Sequence, residues 1–307
     1  MNSPTAYLNG RFISAADLSI PVSDLGFIHG VTISEQMRTF DGKIFQLEKH
    51  LDRFWRGLDL LNIAAEFTSD LVAEHLHELA EQNYRILAPG GDLGVCLFAT
   101  PGRNHAFEPS AFFDPSSKLA GATIAAHVYP LPFGRWAEAY ERGVPLVKSS
   151  YQEVPAECWP KAVKCRSRMH YYLAELEAQS IQAGAKPFLT DADGNIGDSS
   201  IASLIFYDSD RGLLAPPHNH SVNSISVAVV REFAEQLSVP FLETEIAYAD
   251  VHAFSEVMLA STPWCLLPVS SLDGIIVSAC PGPMFQQLIE HWSRSVGVAI
   301  VNQAAGQ

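Results

Sequence analysis

The sequence predicts a two-domain α+β protein, with a small α/β domain over residues 1–130 and a larger domain over 131–307. Three observations carry this expectation. The chain has 307 residues and is 48% hydrophobic, enough to bury an extensive core in two domains. Its first part mixes short stretches of strand-like alternation with segments of helical periodicity. Pro130-Leu-Pro-Phe-Gly134 then breaks both periodicities with two prolines and a glycine, and marks the linker.

Tyr7-Leu-Asn-Gly-Arg-Phe-Ile13 carries an Asn-Gly turn signal between alternating residues, and Val31 to Phe40 follows Gly30 as a further strand. From Gln46, the residues Leu47, Leu51, Phe54, Leu58 and Leu61 recur every three or four positions and predict a helix. Leu71 to Leu87 gives a second helix, ended by Pro89-Gly-Gly. Leu93 to Ala99 and Ala122 to Tyr129 are strands around a polar loop containing Arg103-Asn-His105. Beyond the linker we expect a helix from about Lys161 to Ala183, a strand at Pro187 to Thr190 and an Asp-Ala-Asp-Gly turn at 191–194. Strands at Ala202 to Tyr207 and around Leu213 come next, then a helix from Ser224 to Leu237, a strand at Val257 to Ala260 and a last helix from Pro283 to Val296.

A net charge of -14 argues against nucleic acid as a partner, because phosphate backbones need a basic stripe. Local basic pockets for a small anion remain compatible with it. The chain contains no apolar run of about 18 residues to span a bilayer, and Met-Asn-Ser-Pro-Thr at its start lacks a basic region followed by an apolar one. No membrane partner and a cytoplasmic location are therefore expected. Five cysteines, without C-x-x-C spacing, read as reduced thiols rather than a disulfide or zinc framework. His218-Asn-His220 follows Pro216-Pro217 without a helical H-E-x-x-H or nearby carboxylate pattern, so no metal site is expected.

Lys164 stands out. On a helix starting near Lys161 it lies at the N-terminus with Arg166 and Arg168 close behind, where cations oppose the macrodipole. Its spacing to Leu173-Ala174-Glu-Leu-Glu-Ala178 belongs to a series of motifs. Before it come Asp24-Leu-Gly-Phe-Ile-His-Gly30, Glu35-Gln-Met-Arg-Thr-Phe40 and Gly42-Lys-Ile-Phe-Gln-Leu-Glu-Lys-His-Leu-Asp-Arg53. After it come Asp193-Gly-Asn-Ile-Gly-Asp-Ser-Ser-Ile-Ala-Ser203, Asn223-Ser-Ile-Ser-Val227 and Ala260-Ser-Thr262. In this order, from about Tyr7 to Phe285, the chain resembles the fold type IV pyridoxal-phosphate enzymes: branched-chain aminotransferases, D-amino acid aminotransferases and aminodeoxychorismate lyases.

The resemblance implies the fold type IV aminotransferase architecture, a homodimer, and pyridoxal 5'-phosphate in the cleft between domains. It makes Lys164 the Schiff-base lysine rather than Lys161, which lies one helical turn too early. An imine needs a neutral amine, and burial beside Arg166 and Arg168 would favour one. Arg53 takes the cofactor phosphate, for which a guanidinium fork is suited. Asp198 stands where the family's glutamate bonds the pyridine nitrogen, shorter by one methylene. Ile225 through its amide and Ser226 through its hydroxyl cradle phosphate at a helix N-terminus, although Ser224 replaces the family's glycine and Val227 its arginine. Ser261 and Thr262 form a second phosphate-side loop, with Thr262 favoured as the donor.

For the substrate, Gly102-Arg-Asn-His105 is similar to the R-x-H element with which D-amino acid aminotransferases hold a carboxylate, so Arg103 and His105 are candidates, with Arg38 a second. Ser34 replaces an aromatic residue usual in branched-chain enzymes, and Arg168 and Met169 stand where those enzymes place a tyrosine. Arg168 instead resembles the K-x-x-N-R pattern of the lyases. The implied function is a ping-pong aminotransferase acting on an amino acid and a 2-keto acid. An aminodeoxychorismate-type lyase releasing pyruvate, or a catalytically silent cofactor-binding paralogue, are the alternatives.

Overall fold

The computed structural model describes residues 3–107, 121–217 and 223–306. His218 and His220 lie outside the described residues, and so does the side chain of His105. The chain forms two compact units, one of residues 1–131 and 163–167, the other of 132–162 and 168–307.

The first unit contains β1 (Thr5–Leu8), β2 (Arg11–Ser14), α1 (Leu25–Ile28), β3 (Ile33–Phe40), β4 (Lys43–Ile44), α2 (Leu47–Leu60), α3 (Ser69–Tyr84), β5 (Leu93–Thr100) and β6 (Thr123–Pro130). Its strands form an antiparallel sheet in the order β2-β1-β6-β5-β3-β4. Asn9 and Gly10 have φ of 46° and 82°, so the expected hairpin turns with both central residues left-handed, the geometry whose twist matches its strands. Side chains alternate across β3: Ile33 and Met37 pack with Val95, Leu97, Phe54 and Leu76 in the core beneath α2 and α3. Ser34, Gln36 and Arg38 consequently lie on the sheet's other face, with Cys96 and His127 paired across from Gln36. Each fully buried Leu, Ile or Phe of this core contributes about 1.5–3 kcal/mol.

The helix expected from Lys161 begins only at Met169. Lys164 is not helical; it lies in an extended segment along the edge of β3. Ser34 N–H donates to the Lys164 carbonyl at 2.8 Å, Arg166 N–H donates to the Thr32 carbonyl at 3.1 Å, and Cys165 bridges Ile33. The physical reason is a period-two pattern that the helical reading passes over. Val163 belongs to the apolar core and Cys165 packs against it, while Lys164 and Arg166 alternate with them. The segment also satisfies edge groups that β5 does not reach. The macrodipole argument therefore does not explain this lysine; the sheet edge does.

The second unit contains α4 (Ala137–Arg142), β7 (Val144–Lys148), α5 (Met169–Ile181), β8 (Lys186–Thr190), β9 (Ile196–Ser199), β10 (Ser203–Asp208), β11 (Gly212–Ala215), α6 (Ile225–Gln236), β12 (Phe241–Glu243), β13 (Glu256–Ser261), β14 (Cys265–Leu272), β15 (Ile275–Ile276), α7 (Pro283–Val296) and α8 (Ile300–Ala305). Its sheet runs β12-β11-β10-β13-β14-β7-β8-β9, with β15 paired to β14. Helices α6 and α7 pack on β13, and α5 packs on β7 and β8. Helix α7 has the expected bounds, with Pro283 in its first turn and Gly297 left-handed at its end, but it is not the last, since α8 follows it. Strands β7 and β14 escape the sequence reading because Pro145 and Pro268 interrupt them.

Candidate active site

In the first unit, the site is organised around Glu35. This residue sits on the core-facing side of β3, is fully buried, and receives a fork from Arg53 of α2: Nε donates to Oε1 at 2.7 Å and Nη2 to Oε2 at 2.6 Å. His50, one turn before Arg53, places Nδ1 2.7 Å from Oε2. Burial pushes the Glu35 carboxyl up, but the charge and hydrogen bonds of Arg53 and His50 prevail and hold it at about 2. Burial lowers His50 in turn, against the raising effect of Glu35, and Arg53 and Lys164 lower it further. His50 is thus a neutral imidazole whose Nδ1–H donates to Glu35, leaving Nε2 buried without a hydrogen-bond partner among the described residues. The fork orients Arg53 and uses two of its five N–H donors.

Glu35 and His50 fall within the quoted motifs but have no role in the sequence reading. The spacing of His50 and Arg53 is the available signal, since helix positions three apart share a face.

The candidate substrate residues take separate places. Arg38 is 1% exposed, donates from Nε to the Thr39 carbonyl at 3.0 Å, stacks 3.8 Å from the centre of Phe40 and lies 3.8 Å from Asp92. It is thus engaged by its own unit. Arg103 is exposed on the loop after β5, which is fastened to the start of α1: Leu25 N–H donates to the Gly102 carbonyl at 3.0 Å, and Asn104 N–H to the Ser23 carbonyl at 2.9 Å. Asp24 caps α1 by accepting from Gly26 N–H at 2.7 Å.

In the second unit, Asp198 lies on β9 and is 6% exposed, a strand residue rather than a turn or cap. Its backbone N–H donates to Glu153 Oε1 at 3.1 Å. Glu153 also accepts from the Tyr171 hydroxyl at 3.1 Å and lies 3.5 Å from Lys161 Nζ. Burial, with Glu153 and Asp198 beside it, pushes Tyr171 well above the usual phenol range, against Arg168, whose guanidinium lies 4.7 Å from the ring centre. Lys161 is therefore paired with a buried carboxylate. Sequence reasoning misses Glu153 and Tyr171; nothing in the loop Tyr151-Gln-Glu153 announces a buried acid.

Ser224 caps α6, its hydroxyl accepting from Val227 N–H at 3.4 Å. The amides of Ile225 and Ser226 belong to the first turn, outside the helix's own hydrogen bonds, and the Ser226 side chain is 3% exposed. Ser261 donates its hydroxyl to the Ile201 carbonyl at 2.7 Å, and Thr262 begins the turn between β13 and β14. The first unit offers a lysine amine and an arginine, and the second helix-start amides beside a buried hydroxyl and a buried carboxylate; each set is of a chemistry that a phosphorylated pyridine aldehyde takes. Among the described residues, no group of acidic, histidine or cysteine side chains is arranged to hold a metal, and no helix is long and apolar enough to cross a membrane.

Comparison with known proteins gives a consistent picture. The family described as amino-transferase class IV matches residues 32–272. A putative branched-chain-amino-acid aminotransferase of Methanocaldococcus jannaschii is 26% identical over 282 residues, covering 89% of each chain. A D-alanine aminotransferase of Staphylococcus epidermidis is 23% identical over 273 residues, 87% of this chain and 89% of that one. The branched-chain amino acid aminotransferase from Thermobaculum terrenum in its PLP-form superposes with a TM-score of 0.80 at 18% identity, over 96% of this chain and 95% of that one.

Proposed function

Since the chain belongs to the class IV aminotransferases, we propose that it moves an amino group between an amino acid and a 2-keto acid, with pyridoxal 5'-phosphate as cofactor and Lys164 as the residue that holds it covalently. The observation that carries this reading is the placement of Lys164, locked by two backbone hydrogen bonds on β3 with its side chain on the side away from the core. When bound, the cofactor supplies an electron sink for the charge left at the substrate's Cα.

The chain's own residues do the rest. Lys164 Nζ would take the proton from the substrate Cα as general base. Arg53, oriented by Glu35, is the first unit's phosphate ligand, and the Ile225 amide and the hydroxyls of Ser226 and Thr262 are the second unit's. Asp198 keeps a proton on the pyridine nitrogen, while Glu153 fixes the Asp198 backbone and ties down Lys161. Release of one keto acid before the second binds makes the kinetics ping-pong. The working species is a homodimer.

Borohydride reduction followed by peptide mapping should place the pyridoxyl label on Lys164; a label on Lys161 overturns the assignment. Lys164→Ala should abolish turnover, with Lys161→Ala retaining it. Asp198→Asn should lower kcat at least tenfold with little change in cofactor content, and unchanged kcat would return Asp198 to a structural role. A screen of L- and D-amino acid donors, with pyruvate release measured alongside, separates transamination from lyase chemistry.

A further inference from the structure

The face of the first unit's sheet that lies opposite its helices carries a second cation. Because Cys165 bridges Ile33, with a backbone hydrogen bond to β3 on either side of it, its neighbours Lys164 and Arg166 are both turned to the side opposite Cys165. Cys165 packs toward the core, so Arg166 shares the side of Lys164, with α-carbons about 6.6 Å apart at the usual strand rise. Arg166 reaches across the sheet and donates from Nη2 to Cys96 Sγ at 2.7 Å. A thiol is a weak acceptor, and Arg166 has no carboxylate partner among the described residues; the guanidinium keeps donors that its own unit does not use.

The groups it acts on are a thiol, an imidazole and a phenol. Burial raises the Cys96 thiol, with Arg166 and Lys164 opposing and Glu35 adding to the rise. Burial lowers His127, and Arg166 lowers it further. Burial and Cys96 raise the Tyr129 phenol, with Arg166 opposing. The Tyr129 ring lies over Gly94, where a Cβ would come within 2.3 Å of it, so it covers the same face rather than leaving it. Ser34 and Gln36 complete the patch with small or polar side chains.

We propose that Arg166 reads the substrate's carboxylate, making this chain selective for carboxylate-bearing amino donors over simple amines. The inference rests on the aminotransferase reading above, because it assumes that Lys164 marks the reacting end. The carboxylate has two possible sources, the α-carboxylate common to all amino acids or the distal one of a dicarboxylate. Both would use the guanidinium fork.

The test starts with binding, which needs no turnover. Purified protein is titrated calorimetrically with 4-methylvalerate, with its uncharged amide and with glutarate. The wild type should prefer the acids to the amide. Arg166→Ala should abolish that preference, weakening acid binding at least tenfold. Arg166→Lys should restore part of it, since a point charge replaces a fork. Loss for both acids assigns the α-carboxylate, and loss of the glutarate advantage alone assigns the distal one. Equal acid binding by wild type and Arg166→Ala, with unchanged circular dichroism, overturns the proposal even if the enzyme transaminates. A protein that holds no pyridoxyl label yet shows the Arg166-dependent preference would instead sink the aminotransferase reading. In kinetics, the variant should raise KM for amino acids more than it lowers kcat, and should leave an amine without a carboxylate unaffected.

Discussion

Glu35, His50 and Arg53 form a buried charged unit whose response to acid has a definite sign. The folded Glu35 carboxyl titrates at about 2, below its ordinary 4.5. An unfolded chain takes up that proton first, so the stabilisation is complete above pH 4.5 and is lost as pH falls toward 2. At neutral pH it is worth about 3 kcal/mol. His50 acts in the same direction: its folded pKa is lowered from 6.5, so below that pH the unfolded chain binds a proton that the folded one refuses. The melting temperature should therefore fall in two stages on acidification, the first below about pH 6.5. His50→Gln should reduce the first stage, to which His127 and His170, also lowered from 6.5, contribute. Glu35→Gln should flatten the second, while costing about 3–5 kcal/mol at pH 7 because it removes the charge that the buried Arg53 fork meets. A melting profile of Glu35→Gln that follows the wild type at every pH would show that the fork does not bear this load.

At the scale of elements, the start of α1 depends on one close approach. A Cβ on Gly26 would sit 2.3 Å from Thr100 Cγ2 and 2.9 Å from Asp24 Oδ1, so the glycine in D-x-G lets α1 lie against β5 beneath its own cap. Gly26→Ala should destabilise by about 1–3 kcal/mol, read as a lower urea midpoint. Adding Thr100→Ser removes the nearest methyl and keeps the hydroxyl that accepts from Gly102 N–H, so the double variant should recover part of the loss, the Thr100 Cβ at 2.9 Å remaining; no recovery would mean that the Cγ2 contact does not set the cost. Elements of this kind show what was legible in the chain. Hairpins, α2, α3, α6 and α7 follow from periodicity, turn glycines and caps, which are local causes. The strand character of Val163–Ser167 is not local: it exists because β3 presents unpaired edge groups, and a helical pattern beginning at Met169 masks it. Arg53, Asp198, Ser226 and Lys164 could be named from motif order, whereas Glu153 and Tyr171 belong to a buried cluster that only the fold assembles.

For the whole molecule, the distribution of exposed apolar surface supports a dimer. In the first unit, Val22, Phe27 and Phe107 are 77%, 71% and 58% exposed, on segments that backbone hydrogen bonds fasten to each other. In the second, α5 buries only Ala174 and Ala178 while Met169 and Tyr172 stand 76% and 64% exposed, with Leu176 following on the same face. Among the described residues nothing covers these side chains, and an interface of the standard size covers about 800 Å² on each partner. Light scattering should accordingly return twice the 33.5 kDa chain mass at micromolar concentration. Phe27→Asp and Tyr172→Asp each place a charge on a patch that the folded unit itself does not bury, so they test assembly without attacking the core. Each should shift the mass toward that of one chain, with circular dichroism unchanged. A wild type that scatters as one chain, or a double variant that keeps the doubled mass, would falsify the homodimer. Should the Phe27 variant alone dissociate it, the interface belongs to the first unit and α5 must be covered by something else.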